Sequence, residues 1–486
     1  MTRYQLPPGP LGLPFIGSTV SFRKNRLSFL TQVYRDYGPT TTIRFGTTPG
    51  VMVTRPSALR ELCVNKASQF SKGDFSDNRF LFSGDTLRLH HGTDKKNFRG
   101  CCGCGQEKSM MSMDGDMYES QRTVVGEAFH GPAIERYRGI MVSLTHQMLD
   151  LWTPGQEIEL TSEMQKLSAS VVFQTLFGVD VQDRSDAIVK AYSGVLRHTG
   201  RLFQLFKSES DIRKEAAWKN LMTLVDQIVK ETAARPPETK NPLLVDMILR
   251  GAPTNRTNDV IRDQITAFLG AGQVTVAGAL IWVVSLLMQH PKILGKVTQE
   301  VQSVLGGAAP EITDLPRMTY LDWIIKETLR LFPAVWQHGR RAIADVEIDG
   351  YLLPKGTFVF FSEWVTHRAD EYFGEASKFI PERFAQGSPY KHTAEAYIPW
   401  GMGPRACIGG GFATVEMKVV LSMMLQRFTP VLIDRQEQLT PTPRSILLQP
   451  RGEVKMRVDK APAFREIQKS MTADSGMLRC PVHHVN

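Results

Sequence analysis

Apolar positions recur at intervals of three and four from about residue 116 to residue 330, as in VVGEAF and LMTLVDQIVK. That spacing predicts a mainly helical middle. The two ends read differently. Residues 40–55 (TTTIRFGTTPGVMVTR) are rich in Thr, Val and Ile and predict two short strands around a Gly/Pro turn, followed by a helix over 57–69. Strand chemistry returns at 343–361, with turns at Asp349-Gly350 and Pro354-Lys355-Gly356. A helix over 411–427 follows a glycine-rich loop, SILLQP and VKMRV are strand-like, and 460–486 form a polar tail. Pro7, Pro8, Gly9, Pro10 and Pro14 make the first 20 residues a stiff extended lead-in. The stretch 83–115 reads as a long irregular loop. No internal repeat interrupts this order, and the fold class expected is mainly α with a minor β portion, in a single domain over 1–486.

Composition narrows the class. The chain has 486 residues, 42% hydrophobic and 22% charged, which excludes fibrous and disordered proteins. Six cysteines make no disulfide framework, and MTRYQLPPGP is not a signal segment, so a cytoplasmic protein is expected. A net charge of +9 without any Lys/Arg run of five argues for no nucleic acid partner. One charge-free stretch, Gln264 to Pro291, is long enough for a membrane span. Its three glycines, with Thr266, Gln273, Thr275 and Ser285, argue for a helix buried in protein instead.

Chemistry concentrates at Trp400–Gly411, WGMGPRACIGGG. A lone cysteine is ordinarily a buried packing residue. Cys407, however, stands among five glycines directly before a long apolar run, which places its sulfur at a helix N-terminus. Such a site lowers a thiol's pKa and suits a nucleophile or a metal ligand. The glycines leave room for a flat ligand, and Arg405 can pair with a carboxylate. Upstream, Glu327 and Arg330 in KETLRLFP share one face of an apolar helix, so their charges must be paired, and Arg383 in PERF offers a third partner. In the charge-free helix, Phe268, Ala271, Gly272, Thr275, Ala279 and Trp282 fall on one face. Small residues there admit a ligand near the backbone; alternatively they serve helix packing, with Thr275 bonded back to Ala271.

The cysteine segment resembles the haem-binding loop of the cytochrome P450 family. The matching positions are Trp400, Gly403, Arg405, Cys407 and Gly409, with Gly401 inside the loop; the family usually has Phe where this chain has Trp400. The resemblance covers nearly the whole chain and implies the P450 fold, with a long central helix over haem and a small β-rich N-terminal part. It implies haem b (heme b, iron protoporphyrin IX) with Cys407 as the ligand of the haem iron. Glu327, Arg330 and Arg383 then resemble the family's structural triad. Ala271, Gly272, Gln273 and Thr275 match its catalytic helix segment, except that Val274 replaces an acid, which leaves Gln273, water or a substrate hydroxyl to assist proton delivery. Tyr118 and Arg122 match a Trp-three-residues-Arg pair, and Arg340 a further partner of the haem carboxylates, with Arg341 competing.

The implied activity is oxygen insertion from O2 into an unactivated C–H bond of a lipophilic small molecule, terpenoid or steroid-like, in secondary metabolism. Electrons would come from a separate ferredoxin or flavodoxin with its NAD(P)H-dependent reductase, docked on a basic face including Lys418 and Arg427. The resemblance points to a soluble bacterial monomer without membrane anchor. Rival readings are a peroxide-using or rearranging haem-thiolate enzyme, a non-catalytic haem-binding sensor, and a basic helical protein that binds nucleic acid or membrane. The stretch 83–115 would form a variable substrate-side loop; Phe80, Leu81, Phe82 and Leu87 beside Arg88 and His90 suggest a mainly apolar substrate with a polar handle, and Cys101, Cys102 and Cys104 fit no zinc spacing.

Overall fold

A computed structural model describes residues 6–72, 109–111, 113–196, 209–233, 242–250, 258–390, 392–433, 439–444 and 446–461. The helices that frame the centre are α1 (Thr19–Lys24), α2 (Arg26–Tyr37), α3 (Gly115–Gly126), α4 (Pro132–Asp150), α5 (Leu160–Val172), α6 (Asn258–Gln289), α7 (Pro291–Leu305), α8 (Thr319–Leu331) and α9 (Gly410–Arg427). Further helices, Ser185–Leu196, Glu209–Ala233 and Leu244–Arg250, lie between α5 and α6 in the chain.

The helix α6 is central because its residues are apolar almost all round, the pattern of a helix enclosed by protein. It packs on α5, α7, α8 and α9, and Trp282 stacks on Phe332 at 4.0 Å between ring centroids. It is long and apolar enough to cross a membrane, but 78% of its most apolar window is buried inside the protein. The buried-helix expectation therefore holds.

Twelve strands are described. The main sheet runs β1 (Thr40–Phe45), β2 (Thr48–Val53), β8 (Phe358–Phe361), β5 (His338–Ala342), β3 (Phe70–Ser71), with only the β2–β8 pair parallel. The hairpin turn lies at Gly46-Thr47, not at the Pro-Gly dipeptide. Pro49 and Gly50 sit inside β2, and pairing with β8 begins only at Gly50, so the missing Pro49 N–H breaks no ladder bond to β8. β6 (Val346–Ile348) and β7 (Tyr351–Leu353) turn at Asp349-Gly350 as expected, both at positive φ. A second sheet joins β4 (Gln156–Glu159), β12 (Lys455–Lys460) and β9 (Phe428–Leu432), and β10 (Pro441–Arg444) pairs with β11 (Leu447–Pro450). The expected helix over 57–69 is a mixture: one α turn at Pro56–Arg60, a wider π turn at Glu61–Asn65 and a 3-10 turn at Ala67–Gln69.

The ion-pair triad is the polar knot of the core. Arg330 holds Glu327 through two bonds of 2.7 and 2.8 Å, and Arg383 reaches the same carboxylate at 3.4 Å. None of the three side chains is exposed in these pairs. Their remaining donors are spent on backbone: Arg330 on the carbonyls of His367, Ala376 and Lys378, Arg383 on those of Gly374 and Glu375. His367 accepts the Ile398 N–H on Nε2 and donates Nδ1–H to the Arg330 carbonyl, which ties α8 to the segment leading into the cysteine loop.

Candidate active site

The cysteine loop is shaped by two glycines in the left-handed region, one of them without room for any side chain. Gly403 has φ 72°, and a Cβ there would lie 1.9 Å from the Cys63 carbonyl oxygen; Gly401 has φ 71°. The Cys407 N–H donates to the Trp400 carbonyl at 2.7 Å and closes the bend. Trp400 packs its indole against the start of α9, where a Cβ at Gly410 would lie 3.4 Å from the ring.

Cys407 is exposed, two residues before the Gly409 N-cap of α9. The expected lowering of its pKa is reversed: although the residue keeps open surface, the protein packed around it desolvates the thiolate and pushes the pKa up, against weaker pulls from the Gly409 N–H and Arg122. Enclosure outweighs the helix terminus here.

The positive side chains converge as the sequence suggested. Tyr118, on α3, donates its hydroxyl to the Pro404 carbonyl at 2.8 Å, and Arg122 donates to the same hydroxyl at 2.8 Å. Arg405 lies over the Tyr118 ring, 3.5 Å from its centroid. Arg340 is buried, while Arg341, on the other face of β5, donates to the Gly356 carbonyl. Strand alternation thus puts the two arginines on opposite faces, with Arg340 on the side of Arg405 and Lys72. Two residues in this cluster carried no sequence signal. Asp114 pairs with Arg405 and accepts the Lys72 N–H at 3.0 Å. The Lys72 ammonium is lowered to about 7, by burial first and then by Arg340 and Arg405, with Asp114 opposing.

Arg405 thus has Arg340 and Arg122 near it against the single carboxylate of Asp114, and its Nη1 is buried without a partner. An orphaned buried guanidinium nitrogen calls for an acceptor. A flat dianion beside an open sulfur fits that demand, so the donor set matches haem and its two carboxylates.

On the opposite side stands α6. Its residues 264–269 and 276–287 are buried, yet Ala271 is exposed and Thr275 half-buried, so among the described residues the middle of the helix opens here. The Thr275 hydroxyl donates to the Ala271 carbonyl at 2.5 Å. Gly272 does not face that opening; a Cβ there would lie 2.7 Å from Val172 Cγ2, so its smallness serves the packing of α6 on α5. Gln273 is likewise buried, two residues from Ala271 and so turned about 200° away, with its Oε1 unpartnered. Position therefore gives Gly272 and Gln273 no contact with the opening. Val274, where an acid was expected, is buried too.

Phe129 joins the two sides. It stacks on Phe268 at 6.0 Å and meets Phe412 edge-on at 6.2 Å, and a Cβ at Gly409 would lie 3.8 Å from its ring. Nothing in the sequence marked it. The docking face expected around Lys418 is not there: Lys418 is buried, 2.9 Å from Asp322, and Arg427 is paired with Asp150 at 2.7 Å. Phe80, Leu81, Phe82, Leu87, Arg88, His90, Cys101, Cys102, Cys104 and nearly all of the polar tail lie outside the described residues. Among the described residues no group of three His, Cys, Asp or Glu could hold a bare metal ion.

Comparison with known proteins identifies the family and the fold. A protein-family model described as Cytochrome P450 matches residues 7–458. The chain is 26% identical over 430 residues to a cyclooctat-9-en-7-ol 5-monooxygenase of Streptomyces melanosporofaciens, covering 86% of this chain and 88% of that one. It is 26% identical over 452 residues to a pentalenene oxygenase of Streptomyces avermitilis, covering 91% and 95%. Among solved structures, a retinoic acid-bound cyanobacterial CYP120A1 superposes with a TM-score of 0.78 at 23% identity, over 94% of this chain and all of that one.

Proposed function

The chain belongs to the cytochrome P450 family, a family of haem b monooxygenases, and from that premise we propose that it inserts one oxygen atom of O2 into a C–H bond of a terpenoid. The terpenoid preference rests on relatives whose names denote oxidation of cyclooctat-9-en-7-ol and pentalenene. The observation that carries the reading is the exposed Cys407 two residues from a half-buried Arg405 whose Nη1 is buried without a partner.

Bound haem supplies the activation of oxygen, with the Cys407 sulfur holding its iron. Arg405, Arg122, Arg340 and the Tyr118 hydroxyl would hold its carboxylates, their charges already gathered by the fold. Phe129 and Phe268 wall the space against water. The Thr275 hydroxyl is the one protic group on the open stretch of α6. Bonded back to Ala271 it keeps its proton; turned outward it delivers one into the opening. We place the protein in the cytoplasm, with electrons arriving from a separate ferredoxin or flavodoxin and its reductase.

The carbon monoxide difference spectrum of the reduced protein tests the ligand. A red-shifted Soret band is expected, and Cys407→His must abolish it. Thr275→Ala should lower product per electron pair by about tenfold, with peroxide released instead. Unchanged coupling would remove Thr275 from proton delivery. Val274 in place of an acid favours one second reading, turnover driven by peroxide. Product formed with peroxide, and none with NAD(P)H and a redox chain, would select it.

A further inference from the structure

The region around α1 displays apolar surface that the fold does not need. Five of the eleven exposed large hydrophobic residues among those described fall within ten consecutive positions: Leu11, Leu13, Phe15, Ile16 and Val20. Leu11 and Phe15 are each 89% exposed. Scattered single exposed apolar residues need no explanation, but a contiguous group does.

The backbone holds this group outward. Leu13 and Gly17 exchange two hydrogen bonds, of 2.9 and 2.7 Å, and close a tight loop with Phe15 near its tip. Phe15 has φ 60°, a left-handed conformation unfavourable for a bulky residue. The loop is anchored behind by Ser18 N–H donating to the Arg44 carbonyl at 2.7 Å. A strained phenylalanine aimed into solvent from a fixed base is costly twice over, in backbone and in hydration.

Charge says what the patch meets. Residues 1–60 contain eight Lys and Arg and a single acid, Asp36. Exposed Lys24 ends α1, and exposed Arg44 adjoins the loop through the Ser18 bond. Apolar side chains rimmed by cations match an anionic lipid surface, where rings enter the interface and cations meet headgroups. We infer that the Leu11–Val20 loop and the end of α1 dock this protein peripherally on anionic membranes.

Flotation of the full-length protein with vesicles of phosphatidylcholine, alone or mixed with phosphatidylglycerol, tests this. Binding to the mixed vesicles is expected, weakened by salt. The double variant L11S/F15N should lower it by about tenfold or more through lost apolar area. Asn tolerates the left-handed conformation, so this variant should keep its thermal midpoint. K24E/R44E should abolish the preference for mixed vesicles. Wild-type protein that stays in solution with both vesicle types, or L11S/F15N that floats as well as wild type, overturns the inference. So does light scattering that shows a dimer separated by L11S/F15N, since the patch would then cover a second copy.

Discussion

Glu416 in α9 has no exposed surface, and burial pushes its carboxyl up to about 8, with the Ser168 hydroxyl pulling only weakly the other way. The folded chain therefore keeps a proton that the unfolded chain has released. The associated stability is complete below the ordinary value of 4.5 and is lost as pH rises through about 8. The slope is on the order of 1.4 kcal/mol per pH unit. Glu416→Gln should remove this loss, seen as a thermal midpoint that falls less between about pH 4.5 and 8. An equal fall would show that the carboxyl is ionised and satisfied. His367 has the opposite sense. Burial first, then Arg330, holds its pKa well below 6.5, so its contribution is present above 6.5 and lost as pH falls below it. The Cys407 loop was legible at this scale because its glycines, arginine and sulfur are consecutive. Asp114, Lys72 and Phe129 were not, since each meets its partners only through the folded chain.

Two elements owe their packing to pairings that can be broken selectively. Glu327→Ala in α8 leaves two guanidinium groups buried without their carboxylate, at a cost of about 3–5 kcal/mol. The expected outcome is a chain that loses both its thermal transition and its haem; retention of either at wild-type level would show that the backbone carbonyls suffice. On α6, Gly272→Ala would drive a methyl into Val172, costing about 1–3 kcal/mol. Adding Val172→Ala should restore most of that loss, and failure to do so would place the constraint elsewhere. Apolar spacing located α6 and α9 to within a few residues. It could not tell which side of α6 is open, because the helix is apolar nearly all round and only α5 decides that Gly272 is a packing contact. Nor did it find β5, whose sequence HGRRA lacks strand chemistry and is held by β8 and β3 on either side.

The whole molecule is closed by pairs of segments that are far apart in sequence. β2 lies along β8 about 300 residues later, and β4 is paired with β12 near the end of the described chain. The mainly helical class with a minor β portion was readable from periodicity, but these long-range pairings were not, since no local pattern names a strand's partner. They have a consequence for biosynthesis. The residues proposed to grip the cofactor come from positions 118, 122, 340, 405 and 407, and the sheets that fix their frame require β12. A ribosome must therefore release almost the entire polypeptide before the prosthetic group can be captured, and the emerging N-terminal half waits with its future interior uncovered. Supply of haem and chaperone assistance at that late moment, rather than the rate of translation, should set the yield of coloured protein.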